Sequence, residues 1–410
     1  MNIVVQKYGG TSVAGVERMS TVLARVRKGL DAGQKMVVVL SAMSGETNRL
    51  LSLAKQFSPC PDPAEMDVLL CTGEQTSVAL FTMLAKQAGI KAASILAHQI
   101  PILTNSHHTK ARIDSIDTAK LKAMLEEYDL LVVAGFQGVD CNGRLTTLGR
   151  GGSDTTGVAL AAALAADVCE IYTDVDGVFT TDPNVCSMAR KLEVISYDEM
   201  LELASMGAKV LQIRSMEFAK KFNVPVRVRS TFSDDPGTLV TQESHMMEDL
   251  LVSGIAYDKD QCRITISKVK DRPGVAAAIF ASIAAKRILV DMIVQNTSQE
   301  GLTDMTFTVH RADLDQTMKL LEQVKEEIGS VDIHHDSQVA KVSVVGVGMR
   351  NHSGVATKMF ETMRDENINI KLIATSEIKI TCLIDEKYIE LAVRSLHHAF
   401  GLDKPEAKAC

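Results

Sequence analysis

The sequence predicts an α/β protein: a doubly wound, mainly parallel sheet over about 240 residues, followed by two ferredoxin-like βαββαβ units. Three observations predict it. Strand-length apolar runs alternate with helix-length segments up to about residue 240. The pattern breaks across 242–250. Beyond the break a segment repeats: Asp271-Arg272-Pro273-Gly274-Val275-Ala276 matches Asn351-His352-Ser353-Gly354-Val355-Ala356, and Phe280/Phe360, Ile288/Ile368 and Ile293/Ile373 keep the same offset of 80.

The elements follow in order. Ile3-Val4-Val5 is a short strand that runs into Gly9-Gly10, and Thr11-Ser12 can cap the next helix. Val16, Met19, Leu23, Val26 and Leu30 recur at helical spacing until Gly33. The continuous apolar run 36–40 reads as a buried parallel strand. A helix over 64–88 stops at Gly89, and strands follow over 92–97 and 130–134. An Ala-rich helix over 155–166 suits close packing on a sheet; a strand over 170–173, helices within 197–221 and a strand over 224–228 complete the series. In the first repeat the pieces are 263–267, 274–286, 289–294, 305–309, 314–328 and 331–334, and the second is expected in the same order. The division is 1–241, a linker 242–250, then 251–335 and 336–410.

The 410 residues suffice for two to four domains. With 46% hydrophobic residues, 4% aromatics and no Trp, the cores must be aliphatic. Net charge is −7 and no dense basic run occurs, which argues against nucleic acid as partner. The N-terminus shows no basic leader, and no apolar stretch approaches membrane length, so a cytoplasmic protein is expected. Eight cysteines show no C-x-x-C or Cys/His ligand spacing, and the adjacent pairs His107-His108, His334-His335 and His397-His398 point apart; no protein metal site is expected.

The chemistry lies in the first part. Lys7-Tyr8-Gly9-Gly10-Thr11-Ser12 carries a lysine to a strand end, then two glycines and a helix start, the outline of a phosphate site; a plain turn with a surface lysine is the alternative. Leu148-Gly149-Arg150-Gly151-Gly152-Ser153-Asp154-Thr155-Thr156 offers close backbone approach, helix caps and a guanidinium fork for a carboxylate, or else a capped glycine turn. Tyr172-Thr173-Asp174-Val175-Asp176-Gly177-Val178-Phe179-Thr180-Thr181-Asp182-Pro183 ends a strand in an acidic turn; it lacks the downstream Glu of a calcium loop. Thr72-Gly73-Glu74 places an uncapped glycine inside a helix, which calls for a packing or ligand reason, and Gly207-Ala208-Lys209-Val210 brings a second lysine to a helix break.

Taken in order with Ser41-Ala42-Met43, Thr47 and Ala134-Gly135-Phe136-Gln137-Gly138, these motifs resemble the bacterial aspartate kinases, from Met1 to about Thr241 for the amino-acid-kinase domain and to about Leu402 for tandem ACT units. Tyr8 stands where many relatives have Phe, and Ser353 where some have Pro. The resemblance implies that Lys7, Lys209, Gly9 and Gly10 contact ATP phosphates, with Tyr8, Ser41, Thr173, Asp174, Phe179, Asp182 and Val210 along the nucleotide. It implies that Thr47, Glu74, Arg150, Gly151, Gly152 and Ser153 form the aspartate pocket. Arg150 would face the α-carboxylate and Glu74 the α-ammonium, and Asp154 would orient the lysines or substrate. ATP with Mg²⁺ is the implied cofactor, the metal riding on the phosphates. Lysine and/or threonine are the implied effectors, bound where ACT units pair: Asp271, Gly274, Ala276, Asp291 and Gln295 in the first unit, and Asn369, Ile370, Ser376 and Glu377 in the second. A homo-oligomer is implied, with a separate regulatory subunit in some relatives beginning near the equivalents of Met246 and Met247.

The reaction explains why no His–Asp or Ser–His base is needed. The acceptor carboxylate, pKa ~3.9, is already ionised, so the obstacle is repulsion between two anions. Rival readings are another carboxylate kinase of the same fold, disfavoured by the tandem repeat, and a non-catalytic amino-acid sensor, disfavoured by intact Lys7, Glu74 and Lys209. A nicotinamide oxidoreductase would need the spaced-glycine fingerprint that Lys7-Tyr8-Gly9-Gly10 does not supply.

Overall fold

The computed structural model describes residues 2–205, 210–243, 251–297, 301–329 and 332–404. The chain forms two compact units, one of residues 1–179 and 191–249, the other of 180–190 and 250–410.

The first unit runs β1 (Ile3–Tyr8), α1 (Val16–Asp31), β2 (Lys35–Leu40), α2 (Glu46–Phe57), α3 (Pro63–Gln87), β3 (Ala92–Ile95), β4 (Ile102–Thr104), β5 (Ile113–Ile116), α4 (Thr118–Glu127), β6 (Leu130–Ala134), β7 (Gln137–Val139), β8 (Leu145–Thr147), α5 (Gly152–Leu164), β9 (Val168–Thr173), β10 (Val194–Ser196), α6 (Tyr197–Ser205), α7 (Ile213–Phe222), β11 (Val226–Ser230) and β12 (Thr238–Thr241). Eight strands form one sheet in the order β10-β12-β11-β9-β1-β2-β6-β3. Every neighbouring pair is parallel except β11 and β12. The doubly wound, mainly parallel sheet is therefore as expected. Its interior strands β2 and β6 are buried because both faces are covered, which is why they read as unbroken apolar runs. Asp62 caps α3 through Ala64 N–H and Glu65 N–H, and Pro63 begins it.

A second sheet, β5-β4-β7-β8, was not expected. Its strands are three or four residues long, too short for a periodic signal. Thr104 and Thr146 share a buried 2.6 Å hydrogen bond within it.

The second unit runs β13 (Gly254–Lys270), α8 (Val275–Ala285), β14 (Val290–Thr297), β15 (Leu302–Val309), α9 (Leu314–Ile328), β16 (Asp332–Val345), α10 (Gly354–Asp365), β17 (Ile370–Thr375), β18 (Lys379–Asp385) and α11 (Ile389–Ala399), in one sheet ordered β14-β15-β13-β16-β18-β17. The repeat departs from the expected order in one respect. No strand follows α11 among the described residues. Instead β13 is long: Ile264–Ser267 pair with β16 at 332–335, while Gly254–Asp258 pair with β16 at 341–345. The second repeat thus takes its fourth strand, the last of its six elements, from the chain preceding the first. Cys262, Ile264 and Ile266 pack with α8 and α9 in one core; Val252, Ile255, Val342 and Val344 pack with α10 and α11 in the other.

Residues 180–190 belong to this unit. Ile255 N–H donates to Thr180 O (2.7 Å), and Thr180 Oγ1 shares a 2.9 Å hydrogen bond with His397 Nε2.

Candidate active site

Four parallel strands end flush at one edge of the large sheet. Tyr172, Tyr8, Leu40 and Ala134 stand in register across β9, β1, β2 and β6. The residues just beyond this row are Thr173-Asp174, Gly9-Gly10, Ser41-Ala42 and Gly135-Phe136. The turns are stitched together by backbone bonds: Gly9 N–H to Tyr172 O (3.3 Å), Ser41 N–H to Tyr8 O (3.2 Å) and Gly135 N–H to Leu40 O (3.0 Å). This carboxyl edge is where open α/β sheets bind ligands.

Lys7, the penultimate residue of β1, reaches the edge and pairs with Asp154 in the first turn of α5 at 2.5 Å; both side chains are 11% exposed. The start of α5 lies tight on β1, and a Cβ on Gly157 would come within 3.2 Å of Lys7 Cβ. A cation held by one carboxylate at a helix N-terminus can be handed to an incoming phosphate at little reorganisation.

The Ser41–Ser44 turn is wedged between two glycines. A Cβ on Gly10 would sit 2.6 Å from Ala42 O, and one on Gly73 would sit 2.8 Å from Ala42 Cβ. The mid-helix Gly73 therefore has a packing reason. It lets α3 approach the turn so that Ala42 N–H donates to Glu74 Oε1 (3.0 Å). Glu74 is 4% exposed, its Oε2 has no hydrogen-bond partner among the described residues, and burial pushes its pKa up to about 7. A buried carboxylate with one free oxygen is suited to a cationic ligand group.

Arg150 is exposed and makes no hydrogen bond or ion pair among the described residues. It sits between Gly149 (φ +78°) and Gly151 (φ +71°) at the start of α5. Ser153 follows, buried, with its Oγ facing Gly135, where a Cβ would come within 2.7 Å. Thr47, in the first turn of α2, is half-buried, as are Ser41, Thr173, Phe179 and Val210. Thr173 Oγ1 donates to the exposed Asp174 (3.1 Å).

Some expected residues are placed elsewhere. The Tyr8 ring is fully buried beneath the edge, stacked on Tyr172 at 4.6 Å with its hydroxyl on Gln6 Oε1 (3.0 Å); at the edge itself Tyr8 presents backbone. Side chains alternate along a strand, so Lys7 and Tyr8 point to opposite faces. Asp182 lies in the second unit, where its carboxylate accepts from Asn184 N–H (2.8 Å) and Tyr257 Oη–H (2.9 Å). Lys209 lies outside the described residues, as do Met246 and Met247.

Within the second unit, Gly274 (φ +97°) starts α8 with Asp271 and Ala276 exposed on either side, and Gln295 is exposed on β14. Asn369 and Ile370 open β17, and Ser376 and Glu377 form the turn after it, Glu377 lying 3.7 Å from Arg350. Asp291 is bound by the buried ammonium of Lys341, so an effector amine there would have to compete with an internal one.

Three groups escaped the sequence reading. Asp67 is fully buried on α3 and accepts from Thr109 N–H (3.0 Å), Thr147 Oγ1–H (2.5 Å) and His108 Nδ1 (2.8 Å). An acid seven residues before Glu74 in an apolar helix was the available signal. Phe136 holds φ +68°, with its carbonyl accepting from Leu148 N–H (2.8 Å). Arg214, on α7, donates to Leu148 O and Ala111 O. Among the described residues no group of three or more His, Cys, Asp or Glu could hold a metal ion.

The amino acid kinase family model matches residues 2–230, and ACT domain models match 263–326 and 342–400. An aspartate kinase of Pseudomonas putida is 56% identical, over 99% of this chain and 99% of its own length. The crystal structure of E. coli aspartokinase III in complex with aspartate and ADP has a TM-score of 0.82 at 28% identity, covering 97% of this chain and 99% of that one. The same enzyme in complex with lysine and aspartate has a TM-score of 0.77 at 28% identity, with the same coverage. With an identity this high over almost the entire length, and with the kinase and ACT folds both in place, the chain belongs to the aspartate kinase family.

Proposed function

We propose that the chain transfers the γ-phosphate of ATP to the side-chain carboxylate of L-aspartate, giving 4-phospho-L-aspartate, the first step of lysine, threonine and methionine biosynthesis. One observation carries this reading. A single flush sheet edge presents Lys7 and glycine backbone beside an unpaired, buried Glu74 oxygen and an unpartnered Arg150. Phosphates need the first pair; an amino acid with two carboxylates needs the second.

In this reading Lys7, Gly9 and Gly10 receive the phosphates, and Lys209 joins them. Ser41, Thr173, Asp174, Phe179 and Val210 line the nucleotide. Glu74 holds the α-ammonium, Arg150 the α-carboxylate, and Thr47, Gly151, Gly152 and Ser153 close the pocket. Asp154 orients Lys7. The acceptor needs no base, so the side chains align two anions and offset their repulsion. A divalent cation, Mg²⁺ in this reading, would ride on the phosphates held by Lys7, Gly9 and Gly10 and supply further charge neutralisation. The residues present fit that mode, because the edge offers a cation and N–H groups and, among the described residues, no acidic cage.

The kinase domain is taken as 1–241, with a linker 242–250, and the ACT units as 251–335 and 336–410; the family matches fall inside these limits, with the two departures that 180–190 fold with the second unit and Gly254–Asp258 complete the second ACT sheet. Lysine and/or threonine act at Asp271, Gly274, Ala276, Asp291, Gln295, Asn369, Ile370, Ser376 and Glu377, a reading supported by the lysine complex of E. coli aspartokinase III. The outer strands β14 and β17 expose Ile293 (51%) and Ile373 (43%), equivalent positions of the repeat, which favours pairing with a second chain. A second start near Met246 or Met247 would yield a separate regulatory subunit. The protein works in the cytoplasm: α3, the one described helix long and apolar enough for a membrane by composition, is half buried in the first unit and carries buried Asp67 and Glu74.

Hydroxamate trapping of the acyl phosphate tests the reaction. Aspartate should give product, and N-acetyl-aspartate, which lacks the ammonium Glu74 would bind, should give little. Equal turnover of both, or ATP consumption without trapped product, would overturn the reading. The same assay with lysine and threonine tests inhibition.

A further inference from the structure

We propose that Arg214 is a positioning residue for the acceptor site, tying together the two chain segments that flank Arg150. This rests on the reading of Arg150 as the α-carboxylate ligand.

Arg214 lies in the first turn of α7. A cation there opposes the helix dipole, and burial together with neighbouring Arg112 lowers its pKa from the usual arginine value. Its guanidinium offsets this by donating from Nη1 to Leu148 O at 2.6 Å and from Nη2 to Ala111 O at 2.5 Å. Leu148 immediately precedes the Gly149–Gly152 turn, and Ala111 closes the 105–111 loop. Those two segments meet, since Ala111 N–H donates to Thr147 O (2.9 Å) and a Cβ on Gly149 would come within 3.0 Å of Thr109 O. From the opposite side Asp67 holds the same two segments through Thr109 N–H and Thr147 Oγ1–H.

The turn is thus gripped by an anion on α3 that takes donors and a cation on α7 that takes acceptors. Gln212, two residues before Arg214, completes the seat. A Cβ on Gly151 would lie 2.0 Å from Gln212 Cγ, so the turn has no room to settle elsewhere. A forked donor reaches two carbonyls on separate segments in one fixed planar geometry; a lysine ammonium has the charge and the donors without that geometry. Arg150, at the apex, is left exposed with no partner of its own among the described residues. The point from which it reaches out is therefore set by the backbone that Arg214 and Asp67 hold.

The test is steady-state kinetics of Arg214→Met and Arg214→Lys, alone and with Arg150→Ala, on the full chain. Arg214→Met should raise the aspartate KM about tenfold or more, as expected when a binding group is displaced by roughly an ångström, while the ATP KM stays within about twofold. Arg214→Lys should fall between. In the Arg150→Ala background, Arg214→Met should add little, because the two act through one contact. An unchanged aspartate KM in Arg214→Met, a parallel rise in both KM values, or full additivity with Arg150→Ala would each overturn the inference. If Arg150→Ala alone raises the aspartate KM and Arg214→Met does not, the inference fails by itself. If Arg150→Ala leaves it unchanged, the reading of Arg150 fails and takes the inference with it. Should Arg214→Met not fold, Arg214→Lys carries the same comparison.

Discussion

Glu74 is a carboxylate placed where its charge is costly, and two measurable effects follow. Burial raises its pKa from 4.5 to about 7, and Ala42 N–H only partly offsets the rise. Between those values the folded chain binds a proton that the unfolded chain has released, so ligand-free stability falls as pH rises from about 4.5 to 7. Glu74→Gln removes that loss. At pH 8 the variant should be more stable by about 2–3 kcal/mol, checked by denaturant unfolding without ligands. Aspartate binding has the opposite sign, because the ammonium needs the ionised form. The aspartate KM of the parent chain should climb as pH drops below about 7, and the Glu74→Gln variant should show a raised KM that no longer depends on pH there. Lys7 shows the other kind of cost. On the proposed reading Lys7→Met takes one cation away from the phosphates, and it leaves Asp154 without its ion pair at the same edge. We expect kcat to fall by about 10²–10³, with the aspartate KM little changed, in single-turnover and steady-state assays.

At the scale of elements, the turn after β2 shows how glycine placement decides function. Two substitutions press on the same turn with different outcomes. On Gly10 a Cβ meets the backbone carbonyl of Ala42, which cannot move without β2 or the stitched edge; on Gly73 it meets side-chain atoms alone, the Ala42 methyl at 2.8 Å and Glu46 and Leu50 at ordinary contact distance. Gly73→Ala also gains about 1 kcal/mol of helix propensity against about 1–3 kcal/mol of overpacking. Gly10→Ala should therefore be the more damaging, lowering both the melting temperature and ATP affinity. Gly73→Ala should fold near normally and raise mainly the aspartate KM, through the Ala42–Glu74 bond. Differential scanning fluorimetry and the two KM values distinguish them. The long strands β2 and β6 and the helices α3 and α5 were legible because burial on both faces, or a Gly or Ala pattern, leaves a sequence trace. Lys7 and Arg150 stood out because a charge close to glycine at an element boundary is unusual, and Glu74 because it adjoins a glycine inside a helix. The sheet β5-β4-β7-β8 was not, since strands of three or four residues carry no periodicity. Asp67 and Arg214 were missed for a different reason: their partners are backbone groups, a threonine and a histidine 41 to 103 positions away, and no local pattern announces them. The last strand of the second repeat was expected after α11, because a repeat suggests a closed unit; hydrogen-bonding demand on β16 is met equally well by chain arriving from Gly254–Asp258.

The molecule's second unit is not one continuous stretch of chain. Thr180–Arg190 leaves the first unit after Phe179, folds with residues 250–410, and returns at Lys191, the bridge partner of Phe179. It brings a defined set of bonds: Ile255 N–H to Thr180 O, Thr180 Oγ1 with His397, Tyr257 Oη–H to Asp182, and Arg190 Nε–H to Leu402 O (2.6 Å). Any product beginning near residue 250 lacks them all. At ~1 kcal/mol for each bond, the loss is several kcal/mol, and a fragment of 251–410 should melt about 10 °C below the corresponding transition of the full chain. The pH dependence should change as well. In the full chain burial lowers the His397 pKa, so the folded state binds less proton than the unfolded and loses stability as pH falls through the usual histidine range. With Thr180 gone, His397 is uncovered, and that part of the acid sensitivity should shrink. Calorimetry of both proteins between pH 5 and 8, with Tyr257→Phe and Arg190→Ala in the full chain as intermediate cases, measures each contribution. A fragment that melts with the full chain and shares its acid sensitivity would mean that the excursion rests on the second unit without supporting it, and that the unit is complete from residue 251 onward.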